Sequence, residues 1–173
     1  TPRFQLPNLS ETNVVRANAF DDDHPFVAKA KRDGFDWIVG NPPWKDLKKD
    51  TTDPIHKPVL EWMLMHKKDK PTGGNQTAEA FAWRSQDFSR NDALAGLLIP
   101  AMTLFKKESR GFRQRFFSSN YPAYVANFAN LAEVLFAGRS RDPAAAIVFR
   151  PAQEPQLPNR IPVFSPLVAN QEP

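Results

Sequence analysis

Cysteine is missing from all 173 residues. Disulfide frameworks, thiolate zinc sites and cysteine nucleophiles are excluded together, and nothing calls for secretion. Long apolar runs are missing too, since none approaches the roughly 20 residues that a membrane span needs. The opening TPRFQLPNLSE lacks the basic and apolar regions of a signal peptide, so the expected location is the cytoplasm. It does not begin with methionine, which reads as a processed or excised piece. Metal-ligand spacing is absent: His24, His56 and His66 have none with each other or with carboxylates, and Asp21 to Asp23 read as a solvated loop. No metal is expected, and no Ser-His-Asp arrangement can be argued.

What is present reads as globular. The chain is 41% hydrophobic and 24% charged, of a size that buries one core. Its net charge of +4 leans mildly toward an anionic partner.

Along the chain, Asn13 to Phe20 (NVVRANAF) predicts a short buried strand running into a loop, and HPFVAKAKRDG a helical turn or two closed by Gly34. FDWIVG, with Ile38 and Val39 at its centre, predicts a strand covered on both faces in a parallel sheet. Residues 45–76 predict a long mobile loop with a short helix inside it, and Gly73-Gly74 a flexible turn. TAEAFAWRSQDFS is a helix that Thr77 is placed to cap, and LAGLLIP a strand ended by Pro100. In TLFKKESRGFRQRFFSS, Phe112 and Phe116 share one helical face. YVANFANLAEVLF and PAAAIVFR form two strand candidates joined as a hairpin through AGRSRD. From Pro151 to Pro173 the prolines multiply, as in a linker leaving the domain. Alternating strands and helices give an open α/β sheet, whose binding crevice lies at the carboxyl ends of the strands.

One of those ends is Asn41-Pro42-Pro43-Trp44. Two prolines cannot donate to a ladder. They fix φ at both positions and hold Asn41 extended, so the Asn41 amide and the Asn41 and Pro42 carbonyls point in set directions. Trp44 adds a flat, polarizable face suited to stacking on a heteroaromatic ring. Acceptors for an amino group beside a surface for its ring suit an enzyme that modifies an exocyclic amine. On these four residues alone, a rigid structural turn with a core tryptophan is an equal reading.

FDWIVGNPPW resembles motif IV of the amino-group methyltransferases that use S-adenosylmethionine, in the form typical of DNA adenine-N6 methyltransferases. LAGLLIPAMTLFKKESRGFRQRFF is similar to that family's next strand and helix, and NLAEVLFAGRSRDPAAAIVFR to its motif VIII segment. The resemblance implies the C-terminal half of a doubly wound Rossmann-like methyltransferase sheet, ending in an antiparallel hairpin. It implies that Asn41 and Pro42 accept hydrogen bonds from adenine N6, that Pro43 stiffens the turn, and that Trp44 stacks on a flipped base which Phe136 presses from another side. VRANAF is similar to the third motif, which places Asn18, Ala19 and Phe20 against the cofactor, with Asn18 where an acid is usual. Lys45, Lys106, Lys107, Arg139 and Arg141 follow motif-bearing strand ends and are expected to track DNA phosphates.

The family's glycine-rich cofactor loop is absent from the sequence. The expectation is therefore a catalytic-motif half over residues 1–150, followed by a linker, 151–173, toward a target recognition domain outside the chain. NVVRANAF is then expected to be displaced or loosely packed, and the piece alone to bind cofactor weakly and be inactive. The implied parent is a DNA methyltransferase of a restriction-modification or phage-defence system, partnered by DNA and by restriction or defence subunits or domains. Two alternatives stand beside it: a protein glutamine-N5 methyltransferase, and a non-catalytic nucleic-acid or protein interaction module.

Overall fold

The computed structural model describes residues 13–131, 135, 142–151 and 160–166. The first helix, α1 (Pro25–Asp33), carries proline in its first turn, and the His24 side chain accepts the Phe26 N–H at 3.2 Å. Gly34 ends it at φ 65° and ψ 170°, a conformation that favours glycine, and its N–H donates to the Ala30 carbonyl at 2.9 Å. Then come β1 (Phe35–Gly40), α2 (Lys57–Met65), α3 (Thr77–Ser85), β2 (Ser89–Pro100), α4 (Arg110–Ser119), β3 (Asn120–Asn127), β4 (Ala144–Pro151) and β5 (Val163–Phe164).

The five strands make one mixed sheet in the order β1-β2-β4-β3-β5. β1 runs parallel to β2, while β4 is antiparallel to both of its neighbours. The hairpin expected at the C-terminal side is β3 against β4, paired from Asn120 with Pro151 to Asn127 with Ala145. Paired residues share a face of the sheet, so the register separates two sides cleanly. Ile38, Ala95, Leu97, Ile99, Ile147, Phe149 and Val125 face the core with the buried residues of α2, α3 and α4. Phe116 sits at its centre, its ring within 5.0 Å of Trp83, Phe112 and Phe149.

The other face is barer. Trp37 is 71% exposed and Val39 85%, and Tyr124 meets Phe164 there with ring centroids 5.9 Å apart. This corrects the expectation that FDWIVG is covered on both faces: β1 lies at the sheet's edge with only β2 beside it. The apolar run is that of a parallel strand, but the layer it calls for does not come from the described residues.

Three further expectations change. Residues 15–18 form no strand, and Val14 is 64% exposed, while Phe20 is buried among Trp62 and Phe81. The segment is thus outside the sheet at its start and packed at its end. Val163 and Phe164 of the proline-rich tail pair with Val125 and Ala126, so part of that tail joins the sheet. The helix expected from Thr103 begins only at Arg110, after two 3-10 turns.

The 45–76 segment is fastened along its length. Leu47 is buried, its N–H donates to the Asn75 carbonyl at 3.1 Å, and Asp46 forms a bridge with Gln76. Gly73 is a packed residue rather than a flexible one, because a Cβ there would lie 2.6 Å from the Ser109 backbone. What holds it is Glu79, fully buried in α3. Its carboxylate accepts the Gly73 N–H at 2.5 Å and bonds the Ser109 hydroxyl. Burial pushes the Glu79 pKa up, and those hydrogen bonds offset it only in part. A raised carboxyl pKa makes the folded chain hold a proton that the unfolded chain has lost. Glu79 therefore contributes most below its unfolded pKa, and that contribution is lost as pH rises through the folded value. Glu79→Gln keeps an acceptor for Gly73 without the charge. Urea midpoints of the two proteins should diverge in favour of the variant as pH rises from 4 toward neutrality, because only the wild type must then either stay protonated or bury a charge.

Candidate active site

Pro42 and Pro43 end β1 because neither carries an N–H, and the chain turns across the carboxyl end of the sheet. Asn41 is exposed there, Pro42 buried, Pro43 exposed and Trp44 partly buried. Among the described residues, neither the Asn41 side chain nor the Pro42 carbonyl has a hydrogen-bond partner. Beside them opens a cleft of about 340 Å³, walled by Ala19, Ile38, Val39, Phe81, Arg84 and Phe88. An apolar cavity with two unused acceptors at its rim suits a flat ring that carries an amino group.

The turn is held by Thr77, which is 1% exposed. Its hydroxyl donates to the Pro43 carbonyl at 2.5 Å and accepts the Lys45 N–H at 3.1 Å. Its backbone N–H donates to the Lys45 carbonyl at 2.9 Å. One residue thus satisfies the polar backbone on both sides of Trp44. The indole N–H donates to the Leu98 carbonyl of β2 at 3.3 Å, which fastens that ring's edge to the core. The helix cap expected at Thr77 falls instead to Gln76, whose side chain accepts the Ala78 N–H at 3.2 Å.

Of the third-motif residues Asn18, Ala19 and Phe20, one borders this cleft. Ala19 lines it. The Asn18 amide donates to the Ile55 carbonyl at 3.2 Å, and its oxygen accepts the Phe20 N–H at 3.0 Å, a local turn that uses the groups expected to face a ligand. The Phe20 ring is buried and does not line the cleft; Phe81, against which it packs edge-on at 4.9 Å, takes that place. Lys45 and Lys107 are exposed, whereas Lys106 is only 18% exposed and lies 3.6 Å from Asp46. Phe136, Arg139 and Arg141 lie outside the described residues.

Thr77, Phe81, Arg84 and Phe88 were not singled out as site residues from the sequence. Arg84 left a signal, a cation inside the apolar run AFAWRS. Such a residue must find partners if its helix is buried.

Replacing Thr77 by Val preserves shape and removes the hydroxyl, leaving the Pro43 carbonyl and Lys45 N–H without it. The loss should be about 1–3 kcal/mol by urea denaturation, and Thr77→Ser should recover most of it. A loss in Thr77→Ser with none in Thr77→Val would mean that the methyl group, not the hydroxyl, matters.

Comparison with known proteins bears on the family and the fold. The model of the Eco57I restriction-modification methylases matches residues 4–135, well over half of the chain. No curated protein sequence matches it closely. Among solved structures, a protein described as a class I S-adenosylmethionine-dependent methyltransferase from Listeria monocytogenes superposes with a TM-score of 0.56 at 11% identity, over 81% of this chain and 39% of that one. The methyltransferase subunit of a type I restriction-modification system from Streptococcus thermophilus gives 0.51 at 14%, over 79% and 27%. The type IIL restriction-modification enzyme MmeI, solved in complex with DNA, gives 0.59 at 14%, over 88% and 19%. At these identities the likeness is one of fold, and the chain spans well under half the length of each. The family match over residues 4–135 places this chain in the Eco57I restriction-modification methylase family.

Proposed function

We propose that the chain carries the amine-accepting half of an S-adenosylmethionine-dependent DNA methyltransferase of a restriction-modification system, acting on the N6 amino group of adenine. The observation that carries this reading is the pairing of unpartnered acceptors, Asn41 Oδ1 and the Pro42 carbonyl, with an apolar cleft at the end of β1. A duplex hides the amino group, so the base must be flipped out to reach them. The two acceptors then take the two N–H bonds of the amine and direct its lone pair along the cleft. No deprotonation in advance is needed, and positioning supplies most of the rate.

Trp44 offers its accessible surface to the flipped base, and Phe136 is proposed to close on it from another side. Lys45, Lys107, Arg139 and Arg141 are proposed to track phosphates. Lys106 has a smaller share in this, because Asp46 already lies beside it.

When bound, S-adenosylmethionine supplies an electrophilic methyl group. The residues fit part of it. Ala19, Phe81 and Phe88 give flat apolar walls for its adenine, next to the Asn18 turn. The described residues contain no glycine loop or acid arranged for its methionine and ribose parts. The bare edge of β1, with Trp37 and Val39 exposed, supports the view that a further strand of the whole protein completes the site.

Asn41→Ala tests the assignment in the full-length protein. DNA methylation should fall at least about 100-fold, while S-adenosylmethionine binding by calorimetry stays within about twofold. Turnover that survives the substitution would contradict the mechanism.

A further inference from the structure

Arg84 is 1% exposed, the most deeply buried cation among the described residues. A guanidinium withdrawn from water needs its donors met in good geometry, and here all three kinds of nitrogen are used. Nη1 donates to Asp87 at 2.8 Å, a partner three residues along the same chain segment. Asp87 alone would balance the charge. The other donors reach 62 and 65 residues away: Nη2 to the Asp22 carboxylate and Nε to the Ala19 carbonyl at 2.8 Å. The planar group also lies over two rings, 5.6 Å from the centroid of Phe20 and 5.2 Å from that of Phe88.

Arg84 therefore grips Ala19, Phe20 and Asp22 from one side, and it lines the same cleft as Ala19, Asn41 and Pro42. The gripped segment has no strand ladder to hold it; the Asn18 bond to Ile55, the packing of Phe20 and the ion pair of Asp22 with Lys31 at 3.1 Å are among its other ties. Burial alone would raise the Asp22 pKa, but hydrogen bonds from Arg84 and Lys31 reverse this and hold it below the usual range. Asp22 is thus ionised throughout the physiological range.

We infer that Arg84 is a positioning residue that sets the Ala19–Asp22 turn against the Asn41–Pro43 turn, and so governs affinity for S-adenosylmethionine rather than the chemistry at the amine. The inference rests on the methyltransferase reading. It follows from which elements the guanidinium joins: its far donors all go to the cofactor side of the cleft, and none to the asparagine-proline-proline turn. A lysine would keep the charge but lose the fork that spans a carbonyl and two carboxylates.

The test uses the full-length protein with Arg84→Lys, and Asp22→Ala, which cuts one arm from the exposed side and leaves the core untouched. KM for S-adenosylmethionine should rise roughly tenfold in the lysine variant and a few-fold in the alanine variant, with kcat and KM for DNA within about twofold. Amide hydrogen exchange should quicken at residues 19–22 while α3 and β2 keep their protection. Unchanged cofactor KM and exchange in both variants would overturn the inference. So would a joint loss of kcat, both KM values and protection across α3, which marks a purely structural residue. A wild-type protein that binds no S-adenosylmethionine would sink the methyltransferase reading itself, an outcome distinct from a wild type that binds it and variants that bind it equally well.

Discussion

The site depends on a strand that has to end. Two prolines after Gly40 carry no N–H, so the ladder between β1 and β2 cannot continue, and the carbonyls that follow must be directed by something other than a neighbouring strand. Thr77 does this from the start of α3. Its hydroxyl holds the Pro43 carbonyl and the Lys45 N–H, which leaves the preceding acceptors on Asn41 and Pro42 turned to the cleft without partners. Asn41 is exposed, so water meets its amide until a ligand replaces that water. The amine-accepting role stands or falls with that local arrangement.

Around it, α3 acts as the organiser through three buried polar residues, two in its first turn and one in its last. Thr77 fixes the asparagine-proline-proline turn, Glu79 fastens Gly73 and Ser109, and Arg84 reaches the segment from Ala19 to Asp22. Each would be expensive to bury alone. Each is satisfied by backbone or side chains of a loop that has little regular structure of its own. A helix placed against the core face of the sheet thereby sets three loops relative to one another, and two of them border the cleft. The opposite face of the sheet has no such organiser among the described residues, which is why Trp37 and Val39 stay exposed on a strand whose composition is that of an interior one.

The legible parts of the sequence were those written in short-range chemistry. Gly34 after HPFVAKAKRD, the proline stops at Pro42 and Pro100, the spacing of Phe112 and Phe116, and the antiparallel pairing near the C-terminal side all follow from local rules. NVVRANAF misled because β-branched residues predict a strand only when a neighbour exists to pair with. Val163 and Phe164 could not be read from a proline-rich tail, since a two-residue strand carries no periodicity. In the site, the acceptor turn was visible as a motif. Its supports were not, because Thr77 and Arg84 act on residues 34 and 65 positions away, and only a fold brings them together. Gly73 shows the same limit: a glycine pair looks loose in sequence, and only the nearness of Ser109 shows that it is packed.

The central claim is that the Asn41 side chain is poised to receive the N–H bonds of an exocyclic amine. The most direct measurement is the response of its side-chain amide resonances, in the isotopically labelled chain, to adenosine and to N6,N6-dimethyladenosine. Adenosine should shift them, whereas the dimethyl compound, with no N–H left to donate, should leave them in place while still perturbing the residues that wall the cleft. Equal shifts from both compounds, or no response to adenosine at millimolar concentration, would contradict the account.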